Sequence, residues 1–180
     1  SSSLSCSINL FNSLANLKEI YKKENFHAII LGSDQGRNVY YKKLVVSTER
    51  HRIKNKVSFI KNCRDMPSAY KLANVVVSSS IEPEAFGRVA VEAQAMEKPI
   101  IASNIGGSKE TILNEKSGVL FKSEDSKNLA KELNKFMEQD KEELNLMGKE
   151  GRKNVSKKFN VDQMCQTTFT EYMKLLKKIK

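Results

Sequence analysis

The sequence has no tryptophan, and in 180 residues only three prolines, two histidines and three cysteines. The cysteines (Cys6, Cys63 and Cys165) are odd in number and scattered, with no Cys-x-x-Cys pair. That argues against a disulfide framework or a zinc site and fits reduced thiols in a cytosolic setting. No apolar run approaches bilayer length; Val75-Val76-Val77 is among the longest. The opening Ser-Ser-Ser-Leu-Ser-Cys-Ser lacks an initiator methionine and the basic flank of a signal peptide, so it reads as a cut or processed end. No internal repeat occurs. No Gly-x-Gly-x-x-Gly follows the first strand candidate, and Gly32 to Gly36 is a poor substitute, which argues against a dinucleotide-dependent dehydrogenase. Basic and aromatic residues do not interleave as on RNA-binding surfaces, so nucleic acid is set aside as a partner.

What is present is charge and alternation. The net charge is +10, a bias compatible with anionic lipid, with a phosphorylated small molecule, or with a solvated lysine-rich surface. Short apolar runs alternate with amphipathic stretches. Leu10, Leu14, Leu17 and Tyr21 fall at helical spacing, and Ala28 to Leu31 reads as a strand ending at Gly32. A helix is expected over Asn38 to Arg50, a strand over Val57 to Ile60, and a helix start at Met66 with Asp65 as cap and Pro67 in its first turn. Val75 to Val77, Pro99 to Ala102 and Val119 to Phe121 are further strands, with helices near Val89 to Met96 and Ser108 to Leu113 between them. This order predicts an α/β fold, a parallel sheet with helices on both faces. Beyond Phe121 the pattern is helix only. One helix is capped by Asp125 or Ser126, a second carries Leu144, Met147, Gly151 and Val155, and a third carries Cys165, Phe169, Tyr172 and Leu176. The break at Asn160 fits a bend at which the chain crosses to another lobe.

Ligands of open parallel sheets bind beyond the carboxyl ends of the strands. Three loops there have suitable composition: Gly32 to Gly36, Ser78 to Arg88, and Asn104 to Ser108. Their glycines admit close backbone approach, and helices starting at Gly87 and Ser108 direct uncommitted N–H groups at a ligand. Within Ser78 to Pro99, Glu84 lies in the loop and Glu92 interrupts the run Val89-Ala90-Val91-Glu92-Ala93. Helical side chains lean toward the N-terminus, so Glu92 leans back toward the rim that Glu84 also reaches. Two acceptor-only carboxylates suit a ligand rich in hydroxyl groups, such as a sugar and a ribose. The competing reading for Glu92 is an ion pair with Arg88, and for Glu84 a solvated loop position. Glu82 is expected to face solvent, and His27 and His51 to be structural or solvated.

Ser80 to Gly87, then Glu92-Ala93, then Met96 to Ser103 resemble the signature of retaining GT-B glycosyltransferases of family four, a glutamate, seven residues and a second glutamate, with Phe-Gly after the first. The resemblance extends to Leu31-Gly32, to Val57 through Asn62 and to Gly106 through Glu110, covering most of 8–122. It implies a Rossmann-like core over 8–122 and a helical tail over 123–180. Together, residues 1–180 would form the C-terminal, nucleotide-sugar-binding lobe of a two-lobed enzyme whose N-terminal acceptor lobe is absent. By resemblance, Glu84 contacts the donor sugar as the catalytic carboxylate, Glu92 holds the ribose hydroxyls, and Phe86 and Gly87 lend backbone amides. Gly32 and the Lys61-Asn62 segment line the base, and Gly106 and Gly107 form a further backbone wall. The donor would be a UDP- or GDP-sugar, with no metal or other cofactor. Transfer would be front-face and retaining, a hexosyl group passing to a cell-envelope polysaccharide, lipopolysaccharide or lipid-linked acceptor. The implied location is cytoplasmic, with contact to an anionic membrane surface.

The sequence departs from that family in three places. The family places an arginine, a few residues, then Lys-Gly before its first helix, as a diphosphate clamp; here Ser1 to Ile8 hold no basic residue. Glu97 stands where a helix-closing glycine is usual, and Ser79 replaces a frequent proline. Without the clamp and the acceptor half, the isolated lobe is expected to bind nucleotide weakly and to transfer little. Two alternatives stand beside the transferase, a nucleotide-sugar epimerase of GT-B fold and a non-catalytic nucleotide-binding module.

Overall fold

The computed structural model describes residues 2–32, 38–61 and 63–178. In chain order the elements are α1 (Ser2–Tyr21), β1 (Ala28–Leu31), α2 (Asn38–Arg50), a single 3-10 turn (Lys54–Lys56), β2 (Val57–Ile60), α3 (Met66–Leu72) and β3 (Val76–Ser78). They continue with α4 (Arg88–Ala95), β4 (Ile100–Ser103), α5 (Ser108–Thr111), β5 (Gly118–Phe121), α6 (Ser126–Glu138), α7 (Lys141–Lys158) and α8 (Val161–Lys178). Local chemistry accounts for several boundaries. The carboxylates of Asp65, Asp125 and Asp140 each accept an N–H from the first turn of the helix they precede, satisfying donors the helix cannot.

All pairings are parallel, but hydrogen bonding divides the expected single sheet in two. β1 pairs with β2, and β3 pairs with β4, which pairs with β5. Helices cover both faces. Side chains alternate along each strand, so Ile101, Val119 and Phe121 bury against α1 and α6, while Ile100 and Ala102 bury against α3, α4 and α5. α1 carries Phe11, Leu14 and Leu17, and α6 carries Leu129, Leu133 and Phe136, all in one buried cluster with Leu44, Ile53 and Val57. Residues beyond 122 thus divide: α6 lies in the core, α7 packs on α4, and α8 exposes Phe169, Tyr172, Leu175 and Leu176.

α7 approaches α4 closely because its contact positions are glycines. A Cβ on Gly148 would stand 2.0 Å from the Glu97 carbonyl oxygen, and one on Gly151 would stand 3.0 Å from Gln94 Cγ. α4 itself ends in a Schellman motif. Lys98 N–H donates to Ala93 O and Glu97 N–H to Gln94 O, with Glu97 left-handed at φ 57°. A glutamate pays a steric cost there that glycine does not. Glu97→Gly should therefore stabilise the fold by about 1 kcal/mol in urea denaturation. The lost Glu97–Arg152 ion pair, 3.4 Å and exposed, offsets little of that.

Candidate functional site

The C-terminal ends of both sheets open on one cavity of 610 Å³, within the size range of small-ligand sites. Each wall comes from a different element. β1 contributes Ile30 and Leu31 and, just past it, Gly32; β2 contributes Phe59 and, beyond it, Lys61. The first turns of α1 supply Cys6 and Ser7, α2 supplies Tyr40, Tyr41 and Leu44, and the loop after β3 supplies Ser80, Glu82, Pro83 and Glu84. One face is therefore apolar and aromatic, and the opposite rim is acidic. Lys61 Nζ stands 4.9 Å from the centre of the Tyr41 ring, a cation–π contact at the aromatic end. Burial pushes the Cys6 thiol above its ordinary range, and the Glu84 and Glu82 carboxylates push it the same way. It therefore lines the cavity as a neutral thiol rather than a thiolate nucleophile.

The loop that carries Glu84 is held from behind by backbone. Gly107 N–H donates to Glu84 O at 2.8 Å. A Cβ on Gly106 would stand 2.5 Å from Glu84 O and 2.7 Å from Glu84 N, and one on Gly107 would stand 2.5 Å from the Phe86 carbonyl carbon. Only glycine permits this approach at Gly106, whose φ is also +52°. Gly106 and Gly107 thus brace the loop and are not among the cavity's lining residues. At the front, Ser80 Oγ donates to Glu84 Oε1, and Ser123 Oγ donates to Ser80 O at 3.3 Å.

Glu84 and Gly32 line the cavity; Asn62 lies outside the described residues, as do Ser33 to Gly36. Gly87 caps α4 in a left-handed conformation, and Phe86 packs edge-on against Phe159, ring centres 5.6 Å apart. Glu92 does not line the cavity. Its Oε1 accepts from Arg88 at 3.0 Å and its Oε2 from the Tyr70 hydroxyl at 2.9 Å, so the ion pair weighed from the sequence forms. Burial and this carboxylate hold the Tyr70 hydroxyl protonated, as its donor role requires. Val89, three residues earlier on the same helical face, does reach the cavity. Glu92 therefore sits one step behind the rim on the facing side of α4.

Sequence reading missed the aromatic wall, since Tyr40, Tyr41 and Leu44 read only as helix; the adjacent tyrosines on one amphipathic helix were the available signal. Glu82 is exposed, as expected, yet stands at the cavity mouth. The histidines sit elsewhere. His27 bonds Ser58 Oγ at 2.8 Å, and His51 ties α2 to α1 through Asn12 Oδ1 at 2.6 Å. Among the described residues no group of three potential metal ligands occurs, and no helix is long and apolar enough to cross a membrane.

The family model described as glycosyl transferases group 1 matches residues 5–154. The capsular polysaccharide biosynthesis glycosyltransferase CapM of Staphylococcus aureus is 33% identical over 121 residues, 67% of this chain and 31% of that protein. A glycosyltransferase structure from Rickettsia africae superposes with a TM-score of 0.85 at 27% identity, covering 95% of this chain and 44% of that one. Anabaena HepE, solved in complex with UDP and glucose, superposes with a TM-score of 0.82 at 26% identity, covering 92% and 44%. The chain thus spans about a third of the length of this curated relative and less than half of these solved structures.

Proposed function

The chain belongs to the group 1 glycosyl transferases, and from that membership we propose that it is the lobe that binds a nucleoside-diphosphate sugar in a retaining hexosyltransferase. The observation that carries the reading is the cavity at the strand ends, with Glu84 on its rim and an aromatic wall opposite. HepE, of the same fold, was solved with UDP and glucose. In this reading the base lies among Gly32, Lys61 and the tyrosines of α2, where flat apolar surface suits a planar ring.

The sugar meets Glu84, whose oxygens accept from its hydroxyls. Glu92 exchanges the Arg88 or Tyr70 contact for the ribose hydroxyls; an exposed pair with Arg88 costs little to break. Backbone N–H groups at Phe86 and Gly87, next to the start of α4, face the diphosphate. In the retaining step the bond from the anomeric carbon to the diphosphate oxygen breaks as the acceptor oxygen bonds on the same face. The acceptor's proton passes to the departing diphosphate, so no side-chain base is required.

The acceptor half belongs to a second lobe, and the acceptor is a cell-envelope polysaccharide or lipid-linked glycan at the cytoplasmic face of the membrane. This chain alone holds one reactant of two. It should bind donor weakly and transfer little, since transfer needs both reactants in a near-attack arrangement.

A thermal-shift panel of UDP, GDP and their glucose and mannose conjugates tests the reading. A ligand at about tenfold its Kd adds about 1.4 kcal/mol, a rise of roughly 3–6 °C for a chain of this size. One nucleoside diphosphate and its sugar should raise Tm in this way, whereas inorganic phosphate and free glucose should not. No shift with any of them at millimolar concentration overturns it.

A further inference from the structure

We propose that Tyr70 is a positioning residue for ribose: its hydroxyl holds the Glu92 carboxylate in place, and through that hold the site prefers ribonucleotides to nucleotides lacking the ribose hydroxyls. This rests on the function proposed above, in which Glu92 receives the ribose.

Glu92 has two partners, and they are anchored very differently. The Tyr70 hydroxyl donates to Oε2 at 2.9 Å, and Arg88 Nη2 donates to Oε1 at 3.0 Å. Tyr70 is 7% exposed, and its residue packs in one buried cluster with Ala90, Ala93 and Ile112. The Arg88 side chain is 83% exposed and reaches Glu92 from one turn earlier on the same helix. Water and salt compete for both charges of such a pair, so it gains little and breaks easily. A hydroxyl on a ring locked in the core stays where the packing of that ring sets it. Of the two contacts, the one to Arg88 is given up to a ligand and the one to Tyr70 is kept.

Tyr70 supplies one directed donor. Burial, together with the carboxylate, pushes its hydroxyl above the ordinary range, so the proton stays on it. A glutamate with no partner on a helix surface samples several rotamers, and ordering it on ligand binding costs free energy. One held in advance avoids that cost. An ionised carboxylate accepts at about four lone-pair positions, and Tyr70 occupies one of those on Oε2. With Arg88 displaced, both positions on Oε1 and one on Oε2 are left, enough for the two adjacent hydroxyls of a ribose. The place fits as well. Val89, one turn earlier, lines the cavity, and the Glu92 side chain is 37% exposed.

A ring that only filled the core would need no hydroxyl, and Tyr70→Phe uses that difference. Dissociation constants of this chain for UDP, GDP and their 2′,3′-dideoxy forms are read from the dependence of Tm on nucleotide concentration. The unaltered chain should bind the preferred ribonucleotide at least about tenfold more tightly than its dideoxy form, the scale of hydrogen bonds to a charged group. Glu92→Gln should remove most of that ratio. Tyr70→Phe should lower it by about three- to tenfold, through the ribonucleotide alone, with the dideoxy form unchanged within twofold. Added to Glu92→Gln, it should lower the ratio no further, because it acts through that carboxylate. Arg88→Ala should preserve the ratio.

A ratio that survives Tyr70→Phe but not Glu92→Gln overturns the inference and leaves the ribose role of Glu92 standing. Equal weakening of ribo and dideoxy forms by Tyr70→Phe also overturns it, since the hydroxyl is then merely structural. So does loss of the ratio in Arg88→Ala rather than in Tyr70→Phe. A ratio that survives Glu92→Gln, or no binding of either nucleotide, removes the function it rests on and the inference with it.

Discussion

Gly106→Ala should unfold the chain at markedly lower urea and abolish ligand binding in the cavity. The added methyl would meet Glu84 O at 2.5 Å, Glu84 N at 2.7 Å and the Pro83 carbonyl carbon at 3.1 Å, all backbone atoms that no rotamer change can move. Its φ of +52° adds the left-handed penalty. Overpacking and backbone strain together suggest about 3 kcal/mol, a Tm lower by roughly 6–12 °C. Gly87→Ala is the control. Its φ is +73°, but its new Cβ would meet nothing closer than 3.4 Å, so it should lose only about 1 kcal/mol. If the two variants melt together, the bracing of the Glu84 loop by Gly106 is wrong.

Glu84→Gln in the full-length protein should leave stability within about 0.5 kcal/mol, because the side chain is exposed and keeps its volume. It removes the negative charge beside the proposed donor-sugar position while retaining a polar group at the end of the Ser80 contact. Sugar transfer should fall in kcat by roughly 10²–10³-fold, the scale seen when one preorganised electrostatic partner of a transition state is removed. Binding of the nucleoside diphosphate should change little, because the proposed base and ribose contacts lie on other residues. Glu92→Gln should do the reverse, weakening nucleotide binding, with the loss appearing in KM. Undiminished transfer by the Glu84 variant would leave the site without its carboxylate, whereas equal losses in KM and kcat for both variants would merge their roles.

How far the site was legible in the sequence varies with the range of the forces involved. Asp65 and Asp125 announced their helices because a cap acts within four residues. Glu97 was singled out only by the family resemblance, which places a helix-closing glycine there, and the left-handed turn is present at that position. Glu84 and Gly32 came to the cavity as their place after strands implied. Gly106 and Gly107 did not. Their glycines read as ligand-facing, yet they serve the approach of one loop to another, a contact between residues some twenty positions apart that no local pattern encodes.

Glu92 shows the same limit at a single side chain. The lean of helical side chains toward the N-terminus put it at the rim, whereas the structure sets it one turn behind Val89, which does reach the cavity. Which partner it holds depends on Tyr70, brought from α3 by packing of the face that buries Ala90 and Ala93. The tyrosine wall depended on α2 folding back over the ends of β1 and β2, and only that packing turned two helix residues into cavity lining.

By itself the chain determined the order of strands and helices, the parallel class, and the arrival of Glu84 at the strand-end rim. Those follow from side-chain periodicity, glycine and proline chemistry, and the short reach of caps. Tertiary structure alone decided that the sheet divides between β1 and β3, which glycines brace rather than line the cavity, and how Glu92 is held. Strand pairing and helix docking select among partners distant in sequence, and burial settles that choice only when the whole layer is assembled.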